Sequence, residues 1–298
     1  LYLKKQNPNS IMLVLPSDHL IPQFKLFEEC VLQGLELLKK GELVTFGIKP
    51  TKAETAYGYL HLSDRSSQIA QKLVGFIEKP AEEKAREMLA SRNYLWNSGI
   101  FLFSVKDIIS AFENFSNNTL KNVRASLENG NFDLDFFRLE KNSWSKCDDI
   151  SIDYAILEKV NNISVVPFEG RWSDLGSWDA LWDEQKSSKS TLVKSKNVST
   201  IDCENILFRS EHNKTRLVGL GVKDIITIAM PDAVLVADKN RAQDVKKVVE
   251  NLRRKNIEQA DNFPKQYRPW GWYESLTKGP QFQVKRICVL AGAKLSLQ

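Results

Sequence analysis

Cysteine and histidine are scarce in this chain of 298 residues. The four cysteines are far apart and form no C-x-x-C pair, and the three histidines lack the spacing of metal ligands; they are Cys30, Cys147, Cys203, Cys288, His19, His61 and His212. This pattern argues against a zinc site and against a disulfide framework, and it suits a reducing compartment. We therefore expect a cytoplasmic protein.

Long hydrophobic runs and a strong net charge are also missing. No apolar stretch reaches the length of a membrane span and no signal peptide is visible, so we expect no membrane partner. The net charge is +5, with 42% hydrophobic and 27% charged residues, as in ordinary globular proteins. The most basic segment, Lys246–Lys255, has no aromatic residues for base stacking. It is typical of a solvated helix face, and we expect no nucleic-acid partner.

A glycine-rich phosphate loop is absent from these 298 residues as well. The one comparable string, Gly219-Leu220-Gly221, lies among short β-branched runs. A bare G-x-G is a weak signal, so a turn is the better interpretation there.

An apolar run, Ile11–Leu15, stands near the start of the chain and is followed by Pro16 and then Asp18. Such a run predicts a short strand buried on both faces. Ligands of open α/β sheets bind beyond the carboxyl ends of the strands, so Asp18 could hold a metal ion or a substrate hydroxyl. The alternative is that Asp18 caps the next helix, and spacing alone does not separate the two interpretations.

The following segments predict an α/β domain. Apolar residues recur at helical spacing over Phe24–Lys40, Gly41 suits the end of that helix, and Leu43–Ile48 is the next strand. A strand, a helix and a strand in this order predict a right-handed crossover and a parallel sheet. Further strands are expected at Leu73–Glu78, Ile100–Phe103 and Ser164–Phe168.

The composition changes after residue 187. A Ser- and Lys-rich linker leads into several short β-branched runs, a closing helix over Gln243–Lys255, a second linker and two strand-like runs. We therefore predict three domains, which are residues 1–187, 188–256 and 257–298.

Six segments occur in the order found in bacterial mannose-1-phosphate guanylyltransferases: LVLPSDHLI, TAYGYL, VGFIEKPA, YLWNSGIFLF, SIDYAILEKV and RWSDLGSWDALW. The tail, YRPWGWYESL with FQVKRICVLAGAKLSLQ, resembles the start of the cupin-like mannose-6-phosphate isomerase domain fused to many of them. The chain thus resembles the bifunctional guanylyltransferase/isomerase family. This resemblance implies an α/β, Rossmann-like (GT-A-like) nucleotidyltransferase with a mixed sheet. A small β-rich, left-handed β-helix-like segment and the start of a cupin β-barrel would follow.

The chain departs from the family pattern in two places. The family's loop of the form GGxGTRLWPLSR, which wraps the nucleotide phosphates, is not found here, and the isomerase part stops before its metal-binding residues. We therefore expect an internal fragment of a longer enzyme, without turnover by itself. An uncovered sheet edge should also make it prone to aggregation.

The resemblance implies that mannose-1-phosphate attacks the α-phosphorus of GTP, giving GDP-mannose and pyrophosphate. Such transfers depend on alignment and charge neutralisation, and Mg²⁺ takes one or two carboxylates beside phosphate oxygens. By resemblance, Asp18 and Asp174 are the catalytic, metal-binding carboxylates. On spacing alone Asp174 is better explained as a turn residue after Trp172.

Four more residues would bind the sugar phosphate by resemblance: Gly58, Glu78, Lys79 and Asn97. The glutamate would contact sugar hydroxyls, the lysine the phosphate, the asparagine would donate and accept hydrogen bonds, and the glycine would allow close approach. Each has an alternative explanation: Glu78 and Lys79 could form a surface ion pair, Asn97 could be a turn residue, and Gly58 could be a flexible entry to a strand. Trp96, Trp172 and Trp178 are expected in the core or the pocket wall.

Three other functions stay open. The first is a sugar-phosphate-binding fragment without transfer, which the missing phosphate loop favours. The second is a related thymidylyl- or uridylyltransferase. The third is the mannose-6-phosphate isomerase, represented here only by its first strands. The family also leaves a homo-oligomer open, with Val198–Lys255 as the candidate subunit contact.

Overall fold

A computed structural model of the chain describes residues 1–64, 69–133, 136–175, 192–193, 196–211, 215–268 and 270–295. Contacts divide the chain into two compact units, Leu1–Asp174 and Leu175–Gln298. Within the described ranges, no helix combines the length and the apolarity that crossing a membrane requires.

The first unit is built on a six-stranded mixed sheet. Its strands are β1 (Ile11–Val14), β2 (Leu43–Ile48), β3 (Tyr59–Leu62), β4 (Gln71–Ile77), β5 (Tyr94–Ser104) and β8 (Ile163–Phe168), and a separate hairpin is made of β6 (Asn131–Asp133) and β7 (Phe136–Arg138). The order is β1-β5-β2-β8-β4-β3, and the long strand β5 also pairs with β3. Strand β2 runs parallel to β8 and antiparallel to β5.

Helices cover both faces of this sheet. They are α1 (Tyr2–Gln6), α2 (Phe24–Leu38), α3 (Glu82–Ser91), α4 (Val105–Phe115), α5 (Asn117–Glu128), α6 (Lys141–Trp144) and a π-helix (Asp153–Leu157). Because side chains alternate along a strand, Leu43 packs in the same cluster as α4 and the π-helix, whereas Val44 packs with α2. All six residues of β2 are buried, as its apolar sequence predicts.

The prediction for the first strand was wrong in two respects. Strand β1 is not buried on both faces, because Ile11, Leu13 and Val14 are 50%, 38% and 43% exposed. It also does not lie beside β2. Strand β5 lies between them, antiparallel to both, so β1 and β2 share a direction without being neighbours. In the described part of the chain β1 has one pairing partner, and this edge position exposes its side chains.

The second unit contains short parallel strands. They are β9 (Leu192–Val193), β10 (Val198–Ile201), β11 (Leu207–Ser210), β12 (Leu217–Leu220) and β13 (Ile225–Ala229), followed by the antiparallel strand β14 (Val234–Asp238) and helix α7 (Val245–Arg254). Successive strands alternate between two sheets, β10-β12 and β14-β13-β11-β9. Val198 pairs with Leu217 and Leu207 with Ile226, at one constant offset along the sequence, as in the stacked coils of a β-helix.

Three antiparallel strands follow, β15 (Lys265–Arg268), β16 (Gly271–Gly279) and β17 (Phe282–Val289). The succession of a mixed sheet, a β-helix-like segment and a small antiparallel sheet confirms the predicted fold class. The predicted domain boundary at 187/188 lies outside the described residues. The three domain ranges therefore stay a prediction.

Candidate active site

Two loops meet at one edge of the first unit. Loop Asp18–Leu20 follows β1, and loop Trp172–Asp174 follows β8. The backbone N–H of Leu20 donates to the carbonyl of Ser173 at 2.8 Å, and the N–H of Ser173 donates back to Leu20 at 3.1 Å. This isolated antiparallel bridge brings together the chain segments that carry the two predicted metal-binding aspartates. We call Asp18 and Asp174 the carboxylate rim.

His19 makes the second contact between these loops. Trp172 Nε1 donates to His19 Nδ1 at 3.3 Å, and the two rings meet edge to face. Burial lowers the pKa of His19, while the carboxylates of Asp18 and Asp174 act in the opposite direction. The neutral imidazole favoured in this way is the form that can accept the indole N–H.

Tyr57 holds one oxygen of the rim. Its hydroxyl donates to Asp174 Oδ1 at 2.7 Å, and its ring packs edge-on against Trp96 and Trp172. Burial, followed by this hydrogen bond, raises the pKa of Tyr57 far above its ordinary value. The phenol therefore stays a protonated donor to Asp174 Oδ1, and no described residue donates a hydrogen bond to the second oxygen of Asp174.

The alternative role of Asp18 as a helix cap is wrong. Helix α2 has Gln23 at its N-cap position, and no side chain caps it. The described residues also contain no group of three or more His, Cys, Asp or Glu side chains placed to hold a metal ion. Two carboxylates on adjoining loops instead match Mg²⁺, which takes most of its ligands from water and phosphate oxygens. The carboxylate rim therefore fits a divalent cation that is completed by a substrate.

A second group of residues, four of them with polar side chains, lies beside the rim. We call Gly58, Glu78, Lys79, Asn97 and Asp153 the polar pocket. Tyr57, which bonds the rim, directly precedes Gly58 of the pocket, so the rim and the pocket adjoin.

Glu78 and Lys79 point in different directions at the end of β4. The Glu78 side chain is 7% exposed and that of Lys79 is 56% exposed. Lys79 has a φ of 45°, and this left-handed turn separates the two side chains, while Lys79 Nζ still lies 3.4 Å from Glu78 Oε1. Because the carboxylate is buried, an ordinary surface ion pair does not describe it.

One oxygen of Glu78 is poised for a partner. Oε2 is buried and has no hydrogen-bond partner among the described residues. Burial, followed by repulsion from Asp153, raises the pKa of Glu78, whereas Lys79 opposes the rise. A buried acceptor left unpaired is costly, so such an atom is typical of a position that a ligand completes.

Gly58 leaves room at this oxygen. A Cβ atom at position 58 would lie 2.4 Å from Glu78 Oε2 and 3.3 Å from Asn97 Cβ. Gly58 also accepts the backbone N–H of Asn97 at 2.8 Å. A side chain at position 58 would therefore displace the Glu78 carboxylate. This steric requirement for glycine is not explained by a flexible entry to the strand.

Asn97 lies inside β5, so its interpretation as a turn residue was wrong. The register between β2 and β5 shifts between Thr45 and Gly47, and this irregularity sets the position of Asn97. Its Oδ1 accepts from Thr45 Oγ1 at 3.0 Å and from the Gly99 N–H at 3.2 Å. Its Nδ2 donates to Asp153 at 3.0 Å.

Asp153 and Tyr57 were not predicted as site residues. Asp153 opens the π-helix, and burial raises the pKa of its carboxyl while the hydrogen bond from Asn97 opposes this rise. An acidic residue at the start of a predicted helix is commonly explained by the helix dipole, and nothing in the spacing shows a π-helix. Trp96 is buried and Trp172 is partly buried, as expected, whereas Trp178 lies outside the described residues.

The chain matches three family models in succession. Residues 1–191 match the nucleotidyl transferase model. Residues 196–252 match a mannose-phosphate isomerase/GMP-like β-helix domain, and residues 255–298 match the C-terminal domain of mannose-6-phosphate isomerase.

Curated relatives match nearly the whole chain. A protein of Salmonella montevideo named mannose-1-phosphate guanylyltransferase is 38% identical, over 99% of this chain and 64% of that protein. The alginate biosynthesis protein AlgA of Pseudomonas aeruginosa is 35% identical, over 99% of this chain and 62% of its own length. An Escherichia coli mannose-1-phosphate guanylyltransferase is 36% identical, over 99% of this chain and 63% of that protein. The chain thus spans somewhat less than two thirds of these relatives.

Solved structures agree with this picture. A crystal structure described as mannose-1-phosphate geranyltransferase from Thermus thermophilus superimposes with a TM-score of 0.71 at 28% identity, over 84% of this chain and 71% of that one. A crystal structure of mannose-6-phosphate isomerase from Helicobacter pylori superimposes with a TM-score of 0.52 at 29% identity, over 56% of this chain and 65% of that one.

Proposed function

Because the chain belongs to the nucleotidyl transferase family, we propose that it carries the transfer site of a mannose-1-phosphate guanylyltransferase. A phosphate oxygen of mannose-1-phosphate attacks the α-phosphorus of GTP, and the bond from that phosphorus to the α–β bridging oxygen breaks. The products are GDP-mannose and pyrophosphate. The observation that carries this proposal is the junction of the rim and the pocket, where Tyr57 bonds Asp174 and Gly58 adjoins Glu78.

The rim binds charge in this proposal. Asp18 and Asp174 hold a divalent cation, expected to be Mg²⁺, with the loop bridge keeping the two carboxylates together. When bound, such a cation neutralises negative charge on the reacting phosphates. The Tyr57 hydroxyl fixes the Asp174 carboxylate, so that this ligand need not reorganise during the reaction.

The pocket binds the sugar phosphate. Glu78 Oε2 is the unpartnered acceptor for a sugar hydroxyl, and the exposed Lys79 ammonium is free to turn toward the phosphate. Asn97 contributes a hydrogen-bond donor, and Gly58 lets the sugar approach the sheet. Holding the two reactants in line supplies much of the rate enhancement in such transfers.

Two measurements on the full chain test the proposal. Calorimetric titration with mannose-1-phosphate should give binding that glucose-1-phosphate does not match. The missing glycine-rich loop predicts no turnover by this chain, whereas the joined rim and pocket predict that incubation with mannose-1-phosphate, Mg²⁺ and GTP gives a sugar nucleotide and that UTP or dTTP gives none. Binding without turnover would favour the sugar-phosphate-binding function. A preference for dTTP or UTP would identify the related transferases, and absence of sugar-phosphate binding would contradict the proposal.

The match of residues 255–298 to the isomerase C-terminal domain favours a second candidate function, mannose-6-phosphate isomerisation. The described residues of this segment form three antiparallel strands and hold no cluster of metal-binding side chains. We therefore assign no residue roles in isomerisation. Conversion of mannose-6-phosphate to fructose-6-phosphate by the chain, measured with added divalent cations, tests it directly.

A further inference from the structure

The side-chain amide of Asn97 is held in one orientation by its neighbours. The backbone N–H of Gly99 can only donate, so it requires the amide oxygen, and it lies 3.2 Å from Oδ1. Asp153 Oδ1 accepts from Asn97 Nδ2 at 3.0 Å, and a carboxylate can only accept, so this contact requires the amide nitrogen. Flipping the amide would break both hydrogen bonds at once.

These contacts fix what Asn97 can offer a ligand. Its oxygen accepts from the Gly99 N–H and from the Thr45 hydroxyl, which also lies 3.2 Å from the Ile100 carbonyl. One hydrogen of Nδ2 is donated to Asp153. Within the described part of the chain, the second Nδ2 hydrogen has no acceptor. Asn97 therefore acts toward a ligand as a donor, and the sequence-based expectation that it both donates and accepts is narrowed to one direction.

We propose that Asp153 is a positioning residue that locks the Asn97 amide, so that its second Nδ2 hydrogen is presented to an oxygen of the sugar phosphate. This inference rests on the proposed function of the pocket. Asp153 acts through Asn97, because its Oδ1 accepts the Asn97 amide N–H at 3.0 Å.

The locked donor is complemented by Glu78. Glu78 Oε2 and Asn97 Cβ lie 2.4 and 3.3 Å from the position of a Cβ at Gly58, so the two side chains are neighbours at this glycine. A sugar hydroxyl bound between the two side chains would accept from Asn97 and donate its proton to the unpartnered carboxylate oxygen of Glu78. The pocket therefore selects a free hydroxyl, and a deoxy or methoxy sugar at that position lacks the proton that Glu78 needs.

The π-helix segment fixes both halves of this pair. Asp153 at its start holds Asn97, and Glu158 just after its end accepts the backbone N–H of Glu78 at 2.9 Å. A π-helix costs stability relative to an α-helix and is frequently retained at functional sites. One short segment thus orients the donor and anchors the strand end that carries the acceptor.

Affinity measurements on variants of the full chain test the lock. Mannose-1-phosphate is titrated calorimetrically without nucleotide into the unmodified chain, Asp153→Ala, Asp153→Asn, Asn97→Ala and the double variant Asp153→Ala/Asn97→Ala. We expect Asp153→Ala to weaken binding about tenfold, as for the loss of one well-oriented hydrogen bond. Asp153→Asn retains an acceptor oxygen and should stay within about threefold. In the Asn97→Ala background, Asp153→Ala should have no further effect.

Equal losses from Asp153→Ala in the two backgrounds would overturn the proposal, since Asp153 would then act independently of Asn97. An unchanged affinity of Asp153→Ala would overturn it as well. Melting temperatures of the variants verify that each one is folded.

A second measurement needs neither a variant nor catalysis. In the unmodified chain, the two Nδ2 protons of Asn97, observed by ¹⁵N–¹H NMR, should differ, with one proton protected from exchange by Asp153. Mannose-1-phosphate should then protect the other. Two equally exchanging protons would overturn the lock whatever the chain binds. A protected proton without any sugar-phosphate binding would support the lock and contradict the proposed function instead.

Discussion

The carboxylate rim and the polar pocket adjoin, yet they are constructed differently. The rim stands on two loops that are joined by the backbone bridge between Leu20 and Ser173. Among the described residues, Tyr57 supplies the one side-chain hydrogen bond to the rim's carboxylate oxygens. The pocket lies in strands β4 and β5 and the π-helix, where Asn97 makes three side-chain hydrogen bonds before any ligand arrives. The rim thus has carboxylates that a ligand can engage, whereas the hydrogen bonds that orient Asn97 in the pocket are already formed.

This difference suggests a division of work. A cation that brings phosphate groups and water needs ligands with free oxygens, which loops at a strand end supply. A sugar is distinguished by the directions of its hydroxyl groups, and a rigid hydrogen-bonding surface reads those directions best. We therefore expect substitutions in the rim and in the pocket to have separable effects.

The largest effect is expected at the rim. Asp18→Asn or Asp174→Asn removes a charged cation ligand, and we expect transfer to fall about a thousandfold, with cation affinity falling in parallel. The affinity for mannose-1-phosphate without nucleotide should change by less than about threefold. Calorimetric titration with Mn²⁺ measures the cation affinity, whether or not the chain catalyses transfer. The exposed Asp149→Asn is the matched control. Equal losses of sugar affinity and cation affinity would show that the rim and the pocket act as one binding site.

The next effect concerns Gly58 of the pocket. A Cβ in Gly58→Ala would meet Glu78 Oε2 at 2.4 Å, and the flexible end of that side chain would swing away. We expect mannose-1-phosphate affinity to fall about thirtyfold, or about 2 kcal/mol, with cation affinity and melting temperature nearly unchanged. Gly75→Ala is the control in the same sheet, because its Cβ would meet only His61 Cβ, at 3.9 Å. A large loss of stability in Gly58→Ala would show that this glycine serves packing instead.

A smaller effect on stability is expected from Glu78. Burial raises the pKa of Glu78, so the native state binds the proton more tightly than the unfolded state does. Wild-type stability therefore decreases as the pH rises from the ordinary glutamate pKa through the raised one. Glu78→Gln removes this loss and should increase the free energy of unfolding by about 1 kcal/mol at pH 7, while sugar affinity falls.

Denaturant unfolding of Glu78→Gln at pH 7 and pH 4 checks both the sign and the pH dependence. The gain should shrink toward pH 4, where the wild-type carboxyl takes up its proton. Glu83→Gln, on the exposed face of α3, should show neither effect. Destabilisation by Glu78→Gln at pH 7 would mean that the pairing with Lys79 outweighs burial.

The sequence predicts features that have a local pattern, and it misses features that depend on contacts between distant parts of the chain. Strand β2 and its burial follow from an apolar run, yet an equally apolar run forms the exposed edge β1, because position in a sheet depends on pairings far along the chain. The pairing of Asp18 with Asp174 came from family resemblance, since neither spacing nor local pattern connects them. The lock on Asn97 by Asp153 was missed because a register irregularity and a π-helix have no clear local signature.

The smallest effect is expected where the two regions touch. Tyr57→Phe removes the hydroxyl that donates to Asp174 Oδ1 but keeps the ring that packs on Trp96 and Trp172. Losing one such hydrogen bond should weaken cation binding about fivefold, or about 1 kcal/mol, and leave sugar affinity within twofold. Tyr94→Phe on β5 is the matched control. If Tyr57→Phe weakened sugar binding more than cation binding, Tyr57 would belong to the pocket, and the boundary drawn between the rim and the pocket would be wrong.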